Sequence, residues 1–409
     1  MGRWDKIIYM AMIIVAVFFM INRFMIPVIS MLFFIAFIYS KKSKVQLERI
    51  SITLILMLLL ISLEFIHEFT SESIFDFREA MKEMGRVVIY VLLINILSKM
   101  KINLRTYIYQ WSFILFIIVL GAVLQFIKII NIDAYLINFY GYSKQFHNSA
   151  QTSLNLFRGG SFFVNPNVFA TVLVAYLGSY FSILKYDKLE KNIHVTTISL
   201  IVIGLVLSGS RTGFIAAIIE ILLIFSFLNK NSPKWIPKKN IKSFITIFII
   251  FLVLYSIYNS YSDRSYEEGL RVLYIKQGYD DSINRKLLRL QKVMNQGGIL
   301  NYLIGYGPFD YSRDYNLMID FELGFIIAFY GIVGIIFYFG LIYSIIVYKR
   351  RLEWSFQKNR NIMFVSVLFL FGISSGVFLN LRLFSILLLL FIVNISVDEN
   401  IKNEKVRIT

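Results

Sequence analysis

Three short stretches of this chain combine residue types that could do chemistry. The first is Phe157-Arg158-Gly159-Gly160-Ser161-Phe162-Phe163-Val164-Asn165-Pro166-Asn167, where an arginine precedes an Asn-Pro-Asn helix start. The second is Ser208-Gly209-Ser210-Arg211-Thr212-Gly213, a tight link with an arginine wedged between two apolar runs. The third is Asp320-Phe321-Glu322, leading into Gly331-Ile332-Val333-Gly334. A guanidinium is a planar fork that matches phosphate oxygens, and a carboxylate can take a proton from a hydroxyl. Each stretch also has a plain structural reading. Arg158 can contact a lipid headgroup, Arg211 can be a snorkelling anchor, and the acids can solvate a helix start and favour its dipole.

The elements that must position these residues are set by composition. Of 409 residues 57% are hydrophobic and only 16% charged, against roughly 25% charged in soluble domains; the mean hydropathy is +0.68. Apolar runs near the ~20 residues that cross a bilayer recur along the whole length. Twelve spans are expected: 7–21, 24–40, 50–66, 86–98, 107–127, 167–184, 193–208, 212–228, 243–259, 323–348, 361–379 and 383–397. The chain reads as an all-α polytopic membrane protein forming a single membrane domain over 1–409. No small-residue cleavage site follows the first apolar run, so that run is expected to be a retained helix. The absence of Cys excludes disulfides, thiolate metal sites and a Cys nucleophile, and three His leave little for an imidazole site.

The net charge of +17 is distributed by face. With the N-terminus inside, the inner segments (1–6, 41–49, 98–106, 185–192, 229–242, 349–360, 398–409) hold 25 basic and 8 acidic residues, hence +17. The outer segments hold 17 basic and 16 acidic residues, hence +1, and Glu220 inside a span takes up the difference. This is the positive-inside pattern, with both termini cytoplasmic. It also assigns the basic clusters Lys41-Lys42-Ser43-Lys44 and Lys349-Arg350-Arg351 to topology and excludes a nucleic-acid partner. The inner connections are too short for a nucleotide-binding domain, and Gly305-Tyr306-Gly307 follows no strand and opens no phosphate-binding helix. Any chemistry faces outward.

The largest outer segment, 260–322, lies between the ninth and tenth spans. From Ser282 to Leu300, Leu287, Leu288, Leu290, Val293 and Met294 alternate with Arg285, Arg289 and Lys292 at helical spacing. That predicts an amphipathic helix on the bilayer surface or capping the bundle, ended by Gly297-Gly298. Acids then crowd the tenth span: Asp310, Asp314, Asp320 and Glu322. Positions i and i+2 of a helix differ by about 200°. Asp320 shares a face with Gly324, Ala328 and Gly331, small residues that suit the bundle interior. Glu322 shares one with Ile326, Phe329 and Val333, which suits lipid. Asp320 is therefore the expected inward acid. Glu220 lies mid-span, where an ionisable group faces a polar cavity or stands as a hydrogen-bonded structural residue. His147, on the same outer segment as Arg158, is a weaker candidate.

Taken together, over residues 150–350, these motifs resemble one superfamily, the O-antigen ligases and Wzy-type polysaccharide polymerases. The resemblance rests on Arg158-Gly159 with Asn165-Pro166-Asn167, on Ser210-Arg211-Thr212-Gly213, on an arginine-headed helix running into Gly305-Tyr306-Gly307, and on a polar residue before Tyr330-Gly331-Ile332-Val333-Gly334. It implies a GT-C-like bundle of about twelve transmembrane helices in the cytoplasmic membrane. The implied substrates are undecaprenyl-pyrophosphate-linked oligosaccharides, with no metal and no nucleotide sugar. By the same resemblance Arg158, Arg211 and Arg285, with Asn165 and Asn167, bind pyrophosphate, and Asp320, Glu322 and Arg211 are the catalytic candidates. A chain-length regulator and a flippase are the protein partners it implies. Many ligases carry a His before the Tyr-Gly-x-x-Gly helix; this chain has no His after His194, which favours the polymerase branch.

A twelve-span saccharide transporter or flippase is the rival from another class. The link 185–192 is short where major-facilitator carriers have a long central loop, the second link lacks their Gly-x-x-x-Asp-Arg signature, and no repeat relates the two halves. A non-catalytic partner in an export complex is the third reading.

Overall fold

The computed structural model describes residues 3–20, 24–40, 49–68, 77–127, 139, 160–163, 165–183, 191–228, 281–295, 298–307, 321–347, 354–372, 376–378 and 380–396. In chain order the helices are α1 (Arg3–Phe18), α2 (Met25–Ser40), α3 (Arg49–Glu68), α4 (Phe77–Lys99), α5 (Leu104–Ile127), α6 (Pro166–Ile183), α7 (Lys191–Ser208), α8 (Arg211–Leu228), α9 (Asp281–Met294), α10 (Ile299–Ile304), α11 (Glu322–Val347), α12 (Trp354–Gly372) and α13 (Leu381–Phe391). A 3-10 turn covers Ser161–Phe163, and two short strands, β1 (Lys101–Asn103) and β2 (Asn394–Ser396), pair in parallel. Among the described residues the protein is all-α apart from that pair.

Eleven of the twelve expected spans fall on described helices; 243–259 lies outside the described residues. Among the described helices α5, α6 and α11 are long and apolar enough to cross a membrane. Three boundaries move for local reasons. α12 is described as far as Gly372, and Gly376, a residue that disfavours helix, already lies outside it, short of the expected 379. α13 stops at Phe391, and the following Ile392-Val393-Asn394-Ile395-Ser396 is β-branched and polar, so it pairs with β1 rather than continuing the helix to 397. The amphipathic stretch divides into α9 and α10 around Gly298.

α13 is buried along its entire length and forms the axis of the bundle, packed by α1, α4, α6 and α12. Such a helix is hydrophobic all round because it meets protein on every side. The helix ends sort into two layers. In one, Tyr39 donates to Asp5 (2.6 Å), Gln110 to the Lys6 carbonyl (2.9 Å), and β1 meets β2. Tyr180 there bonds His194, and Arg360 reaches the Val393 carbonyl (3.0 Å). In the other layer lie the ends of α1 and α5, the starts of α6, α8 and α11, and the link into α13. Helices alternating in direction require this sorting.

α11 is broken. Gly331 takes φ 59°, ψ −155° inside it. The freed carbonyls of Ala328 and Phe329 accept from the backbone of Tyr306 (2.8 Å) and Gly307 (3.0 Å). Broken helices persist at membrane depth where neighbouring protein satisfies the backbone, and here the Gly305-Tyr306-Gly307 turn does so. A Cβ on Gly331 would lie 2.5 Å from the Leu303 carbonyl, so the contact is backbone against backbone.

Candidate functional site

The site is assembled from two helix starts in the second layer. Asn165 caps α6: its Oδ1 accepts from the backbone N–H of Asn167 (2.8 Å) and Val168 (3.4 Å). Pro166, which has no N–H to satisfy, takes the first helical position. Ser210 caps α8 by accepting from Gly213 N–H (3.1 Å), while Gly209 supplies the left-handed turn (φ 54°) between α7 and α8. The hydroxyl that caps α8 also donates to Asn167 Oδ1 at 2.9 Å. Residues 43 positions apart in sequence are thus joined by one side-chain bond. Gly213 permits the approach, since a Cβ there would lie 2.5 Å from that of Ala170.

Arg211 is the first residue of α8, so its backbone stands beside this junction; its side chain lies outside the described residues, as do Arg158, His147, Asp320 and the Arg285 side chain. Arg285 itself lies on α9. Of the expected binding residues the structure therefore joins Asn167 to the Arg211-bearing turn and makes Asn165 the cap of the same helix.

Two residues absent from the sequence reading support the junction. Gln125 of α5 grips Ser161 twice, accepting its N–H (2.7 Å) and donating to its carbonyl (2.9 Å). Arg382, in the first turn of α13, is 4% exposed. It donates to the carbonyls of Phe162 (2.7 Å) and Val17, and its guanidinium lies 4.2 Å from the centre of the Phe163 ring. Ser161 also bonds the Ile118 carbonyl and holds φ 50°, a left-handed conformation rare for a residue with a side chain. A signal for Arg382 existed. It occupies a three-residue link between apolar runs, as Arg211 does, and an arginine there needs a partner.

The acidic side overturns one expectation. Glu322 does not face lipid; it is 1% exposed, and its carboxylate accepts the backbone N–H groups of Val377 and Phe378 (2.9 Å for the latter). The two-residue face argument fails because the first turns of α11 are buried on nearly all sides, Ile326 and Phe329 included. Glu322 ties α11 to the link that enters α13. Beside it Arg86 pairs with Glu83 and lies 5.5 Å from the Phe378 ring centre, while Tyr330 donates to Glu83 (3.0 Å) and Tyr90 to the Phe378 carbonyl (2.8 Å).

Glu220 is fully buried mid-way along α8. Ser366 of α12 donates to one oxygen; the other meets no hydrogen-bond donor among the described residues and would lie 2.8 Å from a Cβ on Gly178. Among the described residues no group of three or more His, Cys, Asp or Glu could hold a metal ion. No family model and no curated protein sequence matches the chain.

Proposed function

We propose that this protein is a Wzy-type polysaccharide polymerase of the cytoplasmic membrane, with a GT-C-like bundle of twelve spans, both termini inside and the 260–322 segment outside. The observation that carries the reading is the Ser210–Asn167 bond, which unites at one end of the bundle the two motifs on which the resemblance chiefly rests. The anion-favouring N-terminal ends of α6 and α8 come together there.

In this reading Arg158, Arg211 and Arg285 hold the pyrophosphate of an undecaprenyl-linked saccharide, with Asn165 and Asn167 ordering the helix starts. The acceptor hydroxyl oxygen attacks the anomeric carbon of the donor. The bond from that carbon to the pyrophosphate oxygen breaks, undecaprenyl pyrophosphate leaves, and the hydroxyl proton passes to a base. Guanidinium groups stabilise the charge developing on the leaving diphosphate. Asp320 is the proposed base. Glu322 keeps both oxygens on backbone N–H groups, which suits it to holding the α12–α13 link. A chain-length regulator and a flippase would work beside such an enzyme.

The test is polysaccharide analysis of a deletion strain complemented with wild type, Arg211→Lys or Asp320→Asn. Polymerase action predicts that lipid-linked single repeats accumulate in the deletion and in both variants at normal protein level. Unchanged long chains in the deletion would remove the reading. Full-length polymer that stays lipid-linked would mean a ligase, and repeats confined to the inner leaflet a flippase.

A further inference from the structure

We infer that Arg382 is a positioning residue for the diphosphate site: with Gln125 it holds the Ser161–Phe163 turn in a strained form that sets where α6 begins, and through Asn167 and Ser210 where Arg211 stands. The inference rests on the polymerase reading for the identity of the ligand.

The location of Arg382 is the first argument. α13 begins at Leu381, so the guanidinium sits at the positive end of a helix dipole, where a cation is disfavoured. Helix electrostatics do not explain a buried arginine there. Its contacts do: two carbonyls from separate parts of the chain, Val17 and Phe162, and the face of Phe163. Only a planar fork can bond two such acceptors and stack at once.

The second argument is the turn itself. Three consecutive residues are gripped: Ser161 by Gln125 on both backbone groups, Phe162 by Arg382 on its carbonyl, Phe163 by Arg382 on its ring. Ser161 is the only described non-glycine residue with positive φ. A strained backbone persists when its surroundings over-determine it, and such places cluster at functional sites. Two residues after the turn comes Asn165, the cap of α6, and two further on Asn167, which accepts from Ser210 one residue before Arg211. A shift of the turn therefore displaces the helix start that carries the site.

The experiment measures binding of geranylgeranyl diphosphate, with geranylgeranyl monophosphate as control, to the full-length protein in detergent, alongside its thermal midpoint. The expected result is that Arg382→Lys remains folded and binds the diphosphate about tenfold or more weakly, since small misplacements of a site have large effects. Adding Ser161→Gly, which accepts the left-handed turn without enforcement, should restore most of the affinity. A role in folding alone would give no such rescue. If Arg382→Lys does not fold, Gln125→Met loosens the same turn from α5, with the same loss and rescue expected. Wild-type affinity in the folded single variants, or a double variant no tighter than the single, overturns the inference while leaving the polymerase reading intact. A wild-type protein that does not prefer the diphosphate overturns both.

Discussion

The two ends of α13 each meet a fully enclosed arginine, and the two do different work. Arg360, from α12, reaches the C-terminal end and donates to the carbonyls of Leu390 and Val393. Tyr107 (2.9 Å) and Ser179 (3.2 Å) add bonds to Leu390, and Tyr9 donates to Leu389 (2.8 Å). A cation at a helix C-terminus satisfies orphan carbonyls and favours the dipole. Every feature of that end is accounted for by stability. Arg382 at the opposite end works against the dipole and reaches out of its own helix to the carbonyls of Phe162 and Val17. Burial and residue type are equal, so the difference lies in what is held: a helix terminus in one case, a strained turn ahead of a site in the other.

The largest expected effect belongs to the stability end. Arg360→Met should lose about 3 kcal/mol of stability, because the Val393 carbonyl loses the Arg360 donor and Leu390 keeps only the neutral donors Tyr107 and Ser179. The thermal midpoint in detergent should fall accordingly, while diphosphate binding by the protein that remains folded is unchanged. A selective loss of binding with the midpoint preserved would erase the contrast between the two arginines. Next is Gly331→Ala, expected at about 2–3 kcal/mol, since the residue needs φ 59° and its Cβ would meet the Leu303 carbonyl at 2.5 Å. Protease cleavage in the α9–α10 region should rise, because the turn at Gly305-Tyr306-Gly307 loses its seat on α11.

How much of this was legible in the sequence follows from the period of each signal. Apolar run length located eleven helices because burial and bilayer both reward it. It could not locate the break in α11, because Tyr330-Gly331-Ile332-Val333-Gly334 is as apolar as its flanks and the break depends on carbonyls that Tyr306 and Gly307 satisfy from far away in the chain. The Asn165–Asn167 and Ser208–Gly213 motifs were visible, and their junction was not, since a bond between residues 167 and 210 has no local signature. Face counting misplaced Glu322 by giving its side of the first turn to lipid, whereas Glu322, Ile326 and Phe329 are buried and it is Leu323 that is exposed. Arg382 was hidden because a lone arginine in a short link gives no sign of which distant carbonyls it will meet.

Glu322→Gln tests the link that leads to Arg382. An amide offers one acceptor oxygen to the N–H groups of Val377 and Phe378 and turns an N–H toward the other, so a loss of about 1–2 kcal/mol is expected. Because the link feeds Arg382, the loss should be accompanied by a modest weakening of diphosphate binding, smaller than that of Arg382→Lys. Binding weaker than in Arg382→Lys, at a normal thermal midpoint, would move Glu322 from the scaffold into the chemistry.

The smallest effect is the most discriminating, because two residues do the same local task at different places. Asn165 caps α6 through Asn167 and Val168, and Asn380 caps α13 through Leu383 N–H (3.0 Å). Removing either side-chain oxygen by Asn→Ala costs about 1 kcal/mol in an ordinary helix, so Asn165→Ala and Asn380→Ala should lower the thermal midpoint by similar small amounts. Their effects on polymer should differ. Asn165 orders the start of α6 two residues before Asn167, the residue bonded to Ser210, whereas Asn380 orders the start of α13, whose Arg382 is additionally fixed by Val17, Phe162 and Phe163. Asn165→Ala should therefore shorten the chains made at equal protein level, and Asn380→Ala should leave them near wild-type length. Equal shortening by both would mean that all helix starts in this layer move as one body, and the distinction between holding a helix and holding a site would dissolve.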